Sequence, residues 1–125
     1  MFSSPLKRAL ETAQIITDND IEIDDRLIER CNGKLEGKLK SECVNMVDFT
    51  DENDSKLGIE PLSKFRGRIE NFLSEVEKKY RGKNILIVTH AGVSIYAKCY
   101  FEGEPKDGNY NRYKLKNCEV YTYNL

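Results

Sequence analysis

A chain of 125 residues suffices for one domain with a modest core. Its 20 Lys and Arg against 21 Asp and Glu leave a formal net charge of -1, and the basic residues are scattered rather than gathered, which argues against a nucleic-acid partner. No apolar run approaches a membrane span, and Met1-Phe2-Ser3-Ser4-Pro5 lacks the charged-then-apolar pattern of a signal peptide, so a cytoplasmic protein with no membrane partner is expected.

In chain order, Ser4 is a good N-cap and Pro5 suits the first helical position, which predicts a helix from about Pro5 to about Thr17. Leu6, Ala9, Leu10, Ala13 and Ile16 then share one face. A short extended piece comes next over Ile21 to Ile23, and Arg30 to Gly37 is a glycine-containing loop. Leu39 to Phe49 reads as a short helix with Leu39, Cys43, Met46 and Val47 inward, and Asp48 to Lys56 as a polar surface loop. Pro61 opens the longest helix, where Leu62, Phe65, Ile69, Phe72, Leu73, Val76 and Tyr80 recur at helical spacing until Gly82 closes it. Ile85 to Val88 is an apolar run suited to a strand buried on both faces, and Val93 to Phe101 reads as the next helix. Tyr113 to Leu125, rich in Tyr, Val and Thr, reads as one or two strands. The alternation predicts an α/β domain spanning 1–125, a three-layer α/β/α sandwich with a mainly parallel sheet.

His90, the single histidine, falls where the buried strand hands over to a helix, a place where backbone N–H groups and the helix dipole favour an anion. Cys31, Cys43, Cys99 and Cys118 show neither a C-x-x-C pair nor metal-ligand spacing with His90, which predicts free thiols and no metal or cofactor.

Several segments, in order, carry a resemblance. Ser3-Ser4-Pro5-Leu6-Lys7-Arg8-Ala9 with Thr12-Ala13, then Leu27-Ile28-Glu29-Arg30 through Gly33-Lys34-Leu35-Glu36-Gly37, then Val88-Thr89-His90-Ala91-Gly92 resemble the second signature, the acid loop and the second histidine motif of the histidine phosphatase superfamily, the phosphoglycerate mutase-like family. Asn117-Cys118-Glu119-Val120 is similar to that family's C-terminal strand. In the family an N-terminal strand ends in an Arg-His-Gly motif whose histidine accepts the phosphoryl group. This chain reads as N-terminally truncated relative to that pattern, with Met1-Phe2 similar to the tail of the strand entering the Ser-Ser-Pro helix.

The resemblance implies a phosphomonoesterase-type domain that acts through a phosphohistidine intermediate, with the nucleophilic histidine absent from this chain. Arg8 would grip the phosphate with a bidentate fork, and His90 would donate a hydrogen bond to the same oxygens. Glu29 would protonate the leaving alcohol oxygen. Read alone, Arg8 is a surface helix arginine, Glu29 and Glu36 are loop acids and His90 is a polar residue at the edge of the core. The family position favours function for Glu29, whereas Glu36 is expected to be a solvent-exposed loop acid or to have a structural role. The short connection from Gly37 to Glu60 favours a phosphatase over a phosphoglycerate mutase, acting on a small phosphorylated metabolite. Substrate choice is expected in Leu39 to Gly58 and Glu102 to Arg112.

A non-catalytic phosphate-binding or interaction domain is the alternative. A serine hydrolase using Ser3 or Ser4 with His90 fits poorly, because neither serine lies in a G-x-S-x-G elbow. The missing family strands would leave Ile85 to Val88 unpaired along both edges, so a homo-oligomer joined through sheet edges is expected.

Overall fold

A computed structural model of the chain describes residues 1–43 and 51–124. They form two compact units, one of Met1–Glu29 with Ile69–Leu125 and one of Arg30–Arg68. The first unit holds a sheet of three short parallel strands, β1 (Phe2–Ser3), β2 (Glu22–Ile23) and β3 (Ile87–Val88), in the order β2-β1-β3. Phe2 aligns with Glu22 and Ile87, and Ser3 with Ile23 and Val88. The chain therefore has an α/β fold with a parallel sheet.

This pairing corrects the expectation that the apolar strand is bare along both edges. The Phe2 amide donates to Leu86 O at 2.9 Å and the Ser4 amide to Val88 O at 3.0 Å, so the segment at Met1–Ser4 covers one edge of β3. Nor is β3 buried on both faces: Ile87 and Val88 are half-buried and Leu86 is 41% exposed.

Helix α1 (Lys7–Ile16) starts two residues later than Pro5, with Leu6 as its N-cap and no side-chain cap. Ser4 lies two residues before that N-cap, and its hydroxyl accepts from the Leu6 amide at 3.3 Å. Ala9 and Ala13 are buried as the periodicity requires, but Ile16 at the frayed end is 53% exposed. After β2, Asp24 accepts from the Arg26 amide at 2.9 Å and starts a one-turn 3₁₀ helix, Asp25–Leu27. The Arg26 guanidinium then reaches Asp24, Asn71 and Glu75 and lies over the Phe72 ring.

In the second unit, α2 (Lys40–Cys43) realises the start of the helix expected at Leu39 to Phe49, but Leu39 is 68% exposed rather than inward. Met46 and Val47 lie outside the described residues. The loop expected over Asp48 to Lys56 is in part a helix, α3 (Asp51–Lys56), with three acids in its first turn where the helix dipole favours them. One of these, Asp54, is buried and pairs with Arg30.

Helix α4 (Leu62–Lys79) matches its predicted start after Pro61, with Phe65, Ile69, Phe72, Leu73 and Val76 buried. Helix α5 (Ala91–Glu102) comes after β3 and ends at Gly103, whose φ of 85° lets its amide return to Cys99 O at 2.9 Å. Beyond it, the described residues to Asn124 form a 3₁₀ turn at Tyr110–Tyr113 and no strand. Asn117-Cys118-Glu119-Val120 is a turn, with Cys118 at φ 61° and the Glu119 amide donating to Lys116 O. Strand-forming residue types need a sheet edge to pair with, and here the rings pack instead: Tyr123 stacks on Phe101 at 4.4 Å. Burial pushes the Tyr123 phenol up to about 12. Among the described residues no helix is long and apolar enough to cross a membrane, and the four cysteines are free thiols.

Candidate functional site

Strand β3 ends at Val88, and Thr89 anchors the exit from the strand by donating its hydroxyl proton to Leu27 O at 2.8 Å. His90 is extended, with φ -121° and ψ 164°, and stands as the N-cap of α5, its carbonyl accepting from Ser94 N at 3.0 Å. The backbone thus turns from strand to helix at His90, as the order of residue types predicts. The imidazole is buried, with 9% exposure, and its Nε2 lies 2.8 Å from Ser4 Oγ.

Glu29 meets the same helix start from another direction. Its Oε2 accepts from the Gly92 amide at 2.9 Å, in the first turn of α5, which has no acidic residue of its own. A carboxylate therefore occupies a position where free N–H groups and the dipole favour negative charge. Gly92 allows it, because a Cβ there would fall onto the Glu29 carboxylate.

The structure brings together two of the three residues singled out in the sequence, His90 and Glu29, around the N-terminus of α5. Arg8 is separate from them in contact terms: it is exposed in the first turn of α1, and among the described residues its guanidinium makes no hydrogen bond or ion pair. Glu36, in the second unit, accepts from the Asn32 amide at 3.3 Å and braces its own loop, in keeping with a structural role. Cys31 Sγ accepts from the Gly33 amide in that loop.

Ser4 is the residue that sequence reasoning misplaced. As an N-cap its hydroxyl would serve α1; instead it faces a histidine far along the chain. No local signal marks this, because an N-cap before a proline is extended as well and the histidine partner is distant in sequence. Ser3 and Ser4 are both fully buried, which leaves neither exposed for attack as a hydrolase nucleophile. Among the described residues no three His, Cys, Asp or Glu gather to hold a metal ion.

A family model described as the histidine phosphatase superfamily (branch 1) matches residues 1–125. The chain belongs to that superfamily. It is 49% identical over 106 residues to a 2,3-bisphosphoglycerate-dependent phosphoglycerate mutase of Thermoplasma acidophilum, a match covering 80% of this chain and 50% of that protein. It is 33% identical over 106 residues to a metal-independent phosphoserine phosphatase of Arabidopsis thaliana, covering 74% of this chain and 44% of that protein. Among solved structures, YhfR of Bacillus stearothermophilus superposes with a TM-score of 0.67 at 26% identity, covering 98% of this chain and 62% of that one. The chain spans about half the length of the curated relatives it matches. These superfamily relatives include both mutases and phosphatases by name.

Proposed function

We propose that this chain carries the proton-donating and phosphate-stabilising part of a phosphomonoesterase site for a small phosphorylated metabolite. The observation that supports this most directly is the placement of the Glu29 carboxylate on the Gly92 amide at the N-terminus of α5, next to buried His90. An anionic phosphoryl group needs fixed donors around its oxygens, and a helix N-terminus, an imidazole N–H and an arginine fork are such donors. Glu29 stands at their edge, and a carboxyl group there that enters the reaction protonated would pass its proton to the departing alcohol oxygen.

In this reading a histidine nitrogen bonds to phosphorus as the ester P–O bond breaks, and the alcohol takes its proton from Glu29. Water then releases phosphate from the phosphohistidine. His90, the single histidine of this chain, serves in this reading as the stabilising group rather than as the phosphoryl acceptor. The short connection between Gly37 and Glu60 favours hydrolysis over mutase chemistry.

The test uses inorganic phosphate and the His90 ring signals in NMR, which are unambiguous in a chain with one histidine. Phosphate is expected to shift them weakly and saturably, and Arg8→Ala to weaken binding about tenfold. p-Nitrophenyl phosphate is expected to be turned over no faster than in buffer. A folded chain whose ring signals ignore high phosphate overturns the reading, and rapid turnover abolished by His90→Ala shows that His90 is itself the nucleophile.

A further inference from the structure

The Ser4 hydroxyl has a constrained set of neighbours. Ser4 is fully buried, and its amide is used up on Val88 O at 3.0 Å. Its Oγ accepts from the Leu6 amide at 3.3 Å and lies 2.8 Å from His90 Nε2. Among the described residues, the hydroxyl proton has one acceptor in reach, that Nε2. Were Nε2 instead the donor, Oγ would accept twice and its own buried proton would have nowhere to go, an arrangement that folded proteins avoid.

We propose that Ser4 is a positioning residue for His90: it donates its hydroxyl proton to Nε2 and so holds the neutral imidazole in the tautomer protonated on Nδ1. This rests on the reading of the site given above and adds a residue to it. The backbone at Ser4 is pinned by the sheet and the hydroxyl is oriented by Leu6, so the donor direction is set before any ligand arrives. In that tautomer the protonated ring nitrogen is Nδ1, on the far side of the ring from Ser4. Ser4 itself touches no substrate in this scheme.

The experiment is a long-range proton–nitrogen NMR spectrum of the nitrogen-15-labelled chain at a pH where the imidazole is neutral, with no anion added. Nε2 is expected to show the shift of an unprotonated acceptor nitrogen and Nδ1 that of a protonated one. Ser4→Ala should move the ring towards the Nε2-protonated tautomer, which isolated histidine prefers, and lower inorganic phosphate affinity about fivefold. Ser4→Thr, which keeps the hydroxyl, should retain the native tautomer. A wild-type spectrum with Nε2 protonated overturns the proposal even if the alanine variant does not fold, and so does a folded alanine variant with an unchanged tautomer. The tautomer is read without phosphate, so a failure of this assignment is distinct from a failure of the phosphate site.

Discussion

At Gly92 the absence of a side chain serves one neighbour. The group that an added Cβ would strike is the end of the flexible Glu29 side chain, so Gly92→Ala should move Glu29 and leave the backbone in place. Stability is expected to stay within about 1 kcal/mol in urea unfolding, because alanine also favours the helix. The Gly92 amide resonance should nonetheless shift as its carboxylate partner leaves. Glu29→Gln keeps an acceptor for that amide and removes a negative charge from the helix start. Phosphate binding should therefore tighten about fivefold in the His90 titration. Asp24 behaves differently: the hydrogen bond from Arg26 holds its carboxyl below the ordinary 3.8. A folded-state value below the unfolded one means that this pair stabilises the fold above about 3.8 and that the contribution disappears as pH falls through the lower folded value. Asp24→Asn should flatten that part of the acid-unfolding profile, and an unchanged profile would remove Asp24 from it.

Among the elements, the loop of the second unit depends on a close crossing. Gly33 has a φ of 52°, and a Cβ there would run into the backbone at Gly58 and Leu57. Lys34 N donates to Leu57 O at 3.0 Å and Glu60 N to Cys31 O at 2.9 Å, so this backbone cannot retreat without breaking its own hydrogen bonds. Gly33→Ala is expected to cost about 1–3 kcal/mol, measured by denaturant unfolding. Helix α3 belongs to the same unit, and its buried Asp54 is matched by Arg30, which also donates to Glu60 O at 2.9 Å. One acid of a segment that reads as a surface loop, Asp54, is in this way half of a largely buried ion pair, which the local sequence does not announce.

At the scale of the whole molecule, the described three-stranded sheet presents two outer edges. Strand order places β3 at one edge and β2 at the other, with Leu86 and Ile23 41% and 54% exposed. Exposed strand edges beside apolar side chains favour pairing with another chain. Concentration-dependent association is therefore expected in sedimentation equilibrium, and Leu86→Lys should weaken it. A monomer across the micromolar range would show that the described sheet tolerates a free edge.

Local features were legible in the residues alone. The apolar run at Ile85 to Val88 followed by Thr89-His90-Ala91-Gly92 announced a strand feeding a helix, and the spacing from Leu62 to Val76 announced α4, because both depend on near neighbours in sequence. The family pattern also pointed to Glu29 and His90. Tertiary structure alone decided their partners: Ser4 and His90 are 86 positions apart, and Glu29 and Gly92 are 63 apart. It likewise decided that the Tyr-rich C-terminal segment pairs with no edge and that Met1–Ser4 covers one side of β3. Propensity ranks what a segment can adopt, but a hydroxyl or a strand edge is satisfied by whichever group the rest of the fold brings within hydrogen-bond reach.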